Sequence, residues 1–97
     1  MEAFIEINRR VMARHPEISP EDVAHAWAAR IATANRRGKY SEETVAVGFD
    51  GKGRMLEMVA VTKADGTMHV FHAMTPPSAK TLRETHLVEG SGPWNTH

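Results

Sequence analysis

Histidine, arginine and lysine are the side chains of this 97-residue chain best suited to chemistry, because it has no cysteine and its serines fall at Ser19, Ser41, Ser78 and Ser91, in caps, loops and tail. Without a thiol there can be no disulfide, zinc-thiolate site or thiol nucleophile. Serines so placed give no basis for a Ser-His-Asp arrangement. Metal-free RNA cleavage asks for less. In-line attack by a ribose 2′-hydroxyl on the adjacent phosphate needs a base, cations to hold the phosphorane charge, and an acid for the leaving oxygen. His72 falls at the end of the last strand, Arg54 opens the neighbouring antiparallel strand, and Lys80 lies in the helix that follows, so these three are the candidate catalytic residues. Each has a plainer reading: Arg54 as a turn residue, Lys80 as a solvated helix charge, His72 as a partly buried, hydrogen-bonded histidine. Arg36, Arg37 and Lys39, with Arg30, form the only long basic stretch, since no acid falls between Asp22 and Glu42. They are candidates for gripping a nucleic-acid backbone, or else a solvated loop.

The chain has six histidines, which raise the question of a metal, and their spacing argues against one. His69 and His72 are an odd number of residues apart on one strand, so they project from opposite faces unless a bulge intervenes. His15, His25 and His86 fall on separate elements, and no His-Glu-x-x-His pattern occurs. Neither a metal nor any other cofactor is implied. Gly48, Gly51, Gly53 and Gly66 fit turns and a strand end that need positive φ, rather than a phosphate-cradling loop.

Twelve basic and twelve acidic side chains cancel. Nucleic-acid binders usually carry an excess of Lys and Arg, so the balance weighs against RNA and towards a protein partner. The first residues are acidic where a signal peptide has bases, and no apolar run is long enough to cross a bilayer. A cytoplasmic protein with no membrane partner is the expectation.

The elements that must position these residues suit one domain over residues 1–88, followed by a mobile tail over 89–97 in which Trp94 could act as an anchor. Glu2 to Arg14 reads as a helix whose broad apolar arc of Phe4, Ile5, Ile7, Val11 and Met12 is interrupted only by Asn8. Pro16 ends it near His15. Ser19-Pro20-Glu21-Asp22 starts a second helix with an N-cap, a proline at the first helical position and acids at the positive end of the dipole, running to about Ile31. Residues 33–43 have no clean period and read as a loop or a short edge strand. From Thr44 to Met74, three strands rich in β-branched and aromatic residues, joined by glycine turns and Asp65-Gly66, make an antiparallel meander. Thr75, with Pro76 and Pro77, opens a C-terminal helix carrying Ala79, Leu82 and Leu87. Neither face of the meander is polar throughout, so a partner chain or the C-terminal helix must cover the second apolar face.

Several strings resemble the BrnT-type toxins of bacterial toxin–antitoxin pairs. They are Arg14-His15-Pro16-Glu17-Ile18-Ser19-Pro20-Glu21-Asp22-Val23, Val45-Ala46-Val47-Gly48-Phe49, Gly53-Arg54-Met55-Leu56-Glu57-Met58-Val59 and Val70-Phe71-His72-Ala73-Met74. They are similar above all to small actinobacterial relatives in which a His-Ala-Trp helix, here His25-Ala26-Trp27, precedes a sheet ending in His-Ala-Met. The resemblance implies a RelE-like α+β fold, metal-independent endoribonuclease activity and neutralisation by a cognate antitoxin. Better-known members end the last strand with Ser-Ala-Arg, where this chain has His72-Ala73-Met74, and often begin with a short strand, where it reads as a helix.

The fold expected is thus α+β and RelE-like, with two N-terminal helices, a three-stranded meander with or without an extra edge strand, and a C-terminal helix. The function expected is a toxin-like ribonuclease that meets RNA and a cognate antitoxin. The alternative is a non-enzymatic interaction module that has lost cleavage and associates, with itself or a partner, through the exposed sheet face.

Overall fold

A computed structural model of the chain describes residues 5–38 and 42–88; Lys39, Trp94 and the expected tail over 89–97 lie outside the described residues. The elements run β1 (Ile5–Ile7), α1 (Arg9–Arg14), α2 (Pro20–Ala28), β2 (Arg30–Arg37), β3 (Glu42–Phe49), β4 (Met55–Thr62), β5 (Met68–Met74) and α3 (Ala79–Glu84). The expected meander is present as β3, β4 and β5, but it is the middle of a five-stranded mixed sheet ordered β1-β5-β4-β3-β2. Strand β1 runs parallel to β5, and every other pair is antiparallel.

Strand β1 corrects the sequence reading and β2 fulfils its edge-strand alternative, each for a local reason. Ile5-Glu6-Ile7 alternates apolar and polar residues, a period as good for a strand as for one turn of helix, and it pairs with Met68 to Val70. Asn8, which interrupts the apolar arc of the expected helix, is the N-cap of α1: extended at φ −66° and ψ 136°, its side chain accepts a hydrogen bond from the Arg10 N–H at 2.9 Å. At the other edge, α2 stops at Ala28 instead of reaching Ile31, and of the two readings of residues 33–43, a loop or a short edge strand, the strand is found, as β2 from Arg30 to Arg37. Its half-buried positions are Ala32, Ala34 and Arg36 while Ile31 is 52% exposed, so apolar contrast between its faces is weak.

The start of α2 forms as its sequence dictates. Ser19 Oγ accepts from the Asp22 N–H and the Asp22 carboxylate accepts from the Ser19 N–H, a reciprocal capping box with Pro20 in the first turn. Helices α1 and α2 and the segment between them bury Val11, Ile18, Val23, Ala26 and Trp27 against Ala46, Leu56, Met58, Ala60, Val70 and Ala73 of the sheet. Fully burying such a side chain contributes about 1.5–3 kcal/mol. Gly48 lies where α2 meets β3, and a Cβ there would overlap the Ala26 carbonyl oxygen and stand 2.9 Å from the Arg30 Cα. Positive φ was expected at Gly48, Gly51, Gly53 and Gly66, and of these four only Gly53 and Gly66 have it, at 81° and 89°; close backbone approach explains Gly48.

The opposite face of the sheet holds Val45 and Val47, fully buried, and Val59 at 2% exposure. Helix α3 lies across it, tied at its start to β4, where Ser78 bonds Glu57, and at its end to β2, where Glu84 pairs with Arg36. The expected opening at Thr75 is corrected too. Ser78 is the N-cap, accepting from the Thr81 N–H, while the Thr75 hydroxyl donates to the Met55 carbonyl at 2.7 Å. Of the two covers expected for this face, a partner chain or the C-terminal helix, the helix is the one that lies over the part formed by these valines.

Candidate functional site

One irregularity in β5 shapes this second face. Val59 pairs with His72 and Ala60 with Val70, so Phe71 is an extra residue without a ladder partner, a β-bulge. Directly paired residues share a face, and Val59 and Val61 are paired with His72 and His69. The bulge therefore turns both histidines to the same side, correcting the expectation that they point apart. Each is taken by its own carboxylate: His69 Nδ1 by Glu6, and His72 Nε2 by Glu57 Oε2 at 2.8 Å. No group of three or more His, Asp or Glu side chains among the described residues is placed to hold a metal ion.

Glu57 stands in the middle of β4 at 5% exposure. Its other oxygen, Oε1, accepts the Ser78 N–H and the Ser78 hydroxyl, both at 2.9 Å. Burial pushes its pKa up, but hydrogen bonds from His72 and from the Ser78 backbone and side chain outweigh burial and hold it at about 2. The Thr81 hydroxyl, fully buried nearby, makes no hydrogen bond. An ionised carboxylate only accepts hydrogen bonds, so the proton between Glu57 and His72 sits on Nε2. The neutral imidazole then carries its lone pair on Nδ1.

His72 and Glu57 line an open groove of about 350 Å³ with Val59 as floor, Ser78 and Lys80 from the α3 side, and Phe71 from the bulge. Arg36 enters from β2, its guanidinium bound by both Glu84 oxygens at 2.6 and 3.1 Å. That pairing raises the Arg36 pKa and keeps it charged. Arg14, the last residue of α1, joins the lining from beside the stretch of β5 that β1 leaves unpaired beyond Val70. Three cations and a carboxylate-oriented histidine thus open on one space, an arrangement suited to a phosphodiester and to proton transfer at it.

Of the residues singled out in the sequence, His72, Lys80 and Arg36 meet in this groove. Arg37 is exposed next to Arg36 in β2, where alternation turns it to the opposite face. Arg54 is not brought to His72. Its guanidinium bonds Asp50 Oδ2 at 2.8 Å, Asp22 Oδ2 at 2.9 Å and the Glu17 carbonyl at 3.0 Å, on the α2 side of the sheet. Lys52 adds a second cation to Asp22 at 3.2 Å. The Ser19 backbone N–H lowers the Asp22 pKa most, burial opposes it, and Lys52 assists, leaving it at about 2. This cluster ties the start of α2 to the β3–β4 turn, which makes Arg54 a structural residue.

Glu57, Ser78, Arg14 and Phe71 are groove residues that sequence reasoning passed over. Glu57 carried a legible signal, as a carboxylate at an inward position between Met55 and Val59 of an apolar strand. Ser78 was read only as a helix-start residue, and Arg14 and Phe71 depend on the bulge and on the short β1, which no local pattern announces. No helix among the described residues is long and apolar enough to cross a membrane. Comparison with protein-family models, curated proteins and solved structures finds no match for the chain.

Proposed function

We propose that the protein is a toxin-like, metal-independent endoribonuclease acting in the cytoplasm, and that it cleaves RNA by 2′-hydroxyl attack. The observation that carries this reading is the groove in which His72, held by Glu57, opens beside Arg14, Arg36 and Lys80. In the proposed step, His72 Nδ1 takes the 2′-hydroxyl proton as the 2′-oxygen bonds to phosphorus. The arginines offset the charge on the phosphorane, the P–O5′ bond breaks, and the leaving oxygen takes a proton from the Lys80 ammonium. The products are a 2′,3′-cyclic phosphate and a 5′-hydroxyl. Glu57 is a positioning residue that sets the tautomer and stabilises the imidazolium.

A RelE-like assignment is part of the proposal. The BrnT resemblance implies a short strand ahead of the first helix, and β1 supports it. Where family members place an arginine at the end of the last strand this chain has Met74, and Arg14, Arg36 and Lys80 supply the cations instead. A cognate antitoxin is the partner the same resemblance implies.

A non-enzymatic interaction module is the second reading, favoured by one observation: Glu84 already engages the Arg36 guanidinium through both of its oxygens. Incubating purified protein with cellular RNA and a chelator separates the two. Fragments ending in 2′,3′-cyclic phosphate support the ribonuclease, and intact RNA of every kind favours the interaction module.

A further inference from the structure

We infer that the groove accepts single-stranded RNA by stacking a nucleobase on Phe71, which makes Phe71 a specificity-determining residue for the ribonuclease proposed above; the inference rests on that reading. Phe71 is the extra residue of the β5 bulge, and it is 36% exposed although its neighbours Val70 and Ala73 are buried. An alternating strand would give this large apolar ring a regular place in the ladder; the bulge instead turns it into the groove wall. It is the one phenyl ring in that wall, with His72 next to it in sequence and Arg14 and Lys80 on the same space.

A nucleotide presents the matching pair of features, a flat ring joined through its sugar to an anion. A ring face beside cations can bind both at once, with the phosphate near His72 and the base on Phe71. Charge alone would hold single and double strands alike. Bases inside a duplex are already stacked on one another, so a stacking platform admits only strands whose bases can be splayed out. No hydrogen-bonding group on Phe71 could tell one base from another, so discrimination is by strandedness and not by sequence.

The test is fluorescence anisotropy at fixed salt with 2′-O-methyl strands, which cannot be cut because the attacking hydroxyl is blocked. The ligands are a mixed-sequence single strand, the same strand in a duplex, and an abasic strand with equal phosphate number. The proteins are the unsubstituted chain, Phe71→Leu, Phe71→Trp and Lys80→Gln. The expected result is preference for the single strand over the duplex, and about tenfold weaker single-strand binding by Phe71→Leu. The same expectation has Phe71→Leu unchanged on the abasic strand and single-strand affinity retained by Phe71→Trp. Single-strand binding that Lys80→Gln weakens but Phe71→Leu does not overturns the stacking and leaves the RNA reading standing. Displacement of the strand by equimolar nucleoside 5′-monophosphate overturns it in favour of a mononucleotide pocket. No binding of any strand by the unsubstituted chain overturns both the stacking and the reading beneath it.

Discussion

His72 Nε2 stands 2.8 Å from Glu57 Oε2 across the β4–β5 ladder, immediately after the bulge at Phe71. Through its second oxygen the same carboxylate holds Ser78 at the start of α3. One buried acid therefore sets the orientation of the histidine and fastens the helix that covers the second face.

This role makes stability depend on pH. The Glu57 pKa is about 2 in the folded chain against 4.5 for the free side chain, so the native state favours the ionised form. Its contribution is complete above about pH 4.5 and is lost as pH falls towards 2, a difference on the order of 3 kcal/mol. Urea unfolding at a series of acidic pH values should show this slope. Glu57→Gln, which keeps an acceptor for Ser78 but cannot titrate, should flatten it. Parallel slopes for the two proteins would show that Glu57 is not held ionised.

Arg54→Met should destabilise without touching cleavage. It leaves Asp50, whose side chain is fully buried, and Asp22 without their shared guanidinium, a loss of about 2–4 kcal/mol. Denaturation midpoints measure the first effect. Cleavage rates at a temperature where the variant remains folded measure the second, and they should stay within about twofold of the unsubstituted chain. A rate collapse in folded protein would restore Arg54 to the chemistry.

Two glycines in one stretch should respond in opposite ways. An added Cβ at Gly48 meets backbone of Ala26 and Arg30, which cannot swing aside, so Gly48→Ala should cost about 3 kcal/mol or more and leave little folded protein. At Gly51 the nearest atom to such a Cβ is His25 Nδ1 at 3.7 Å, and Gly51→Ala should stay within about 0.5 kcal/mol. Thermal melts of the pair check both.

Legibility followed how local each cause is. The capping box at Ser19 and the glycine turns at Gly53 and Gly66 act within a few residues, and they lie where the sequence placed them. Strand β2 was obscured because alanines, not large apolar residues, mark its half-buried side, and β1 because three residues cannot separate a period of two from one of 3.6. His72 and Lys80 are readable as neighbours in the topology, while Arg36 reads only as part of a basic stretch whose strand brings it to them. The place of Arg54 in the turn is local, since Asp50 lies four residues before it, but its tie to Asp22, 32 residues away on another element, is not. The bulge that turns His69 and His72 to one side is a property of strand pairing, absent from the residues of β5 taken alone.

RNA binding by the groove should carry a salt signature. Each phosphate neutralised on a single strand adds about 0.7 to the slope of log affinity against log salt. Lys80→Gln should lower that slope by about this amount and weaken all RNA sequences equally, as titrations at several salt concentrations would show. An unchanged slope would remove Lys80 from the phosphate contacts.

The central claim, that His72 acts as the proton-transfer group at a scissile phosphate, is tested most directly by RNA cleavage in the presence of chelator, with His72→Gln beside the unsubstituted protein. Glutamine can still donate a hydrogen bond to Glu57, which preserves the fold around α3, but it cannot take a proton. The account predicts 2′,3′-cyclic phosphate ends from the unsubstituted protein and a rate about 10²–10⁴-fold lower from the folded variant. Equal rates from the two proteins, or no cleavage by either, would contradict it.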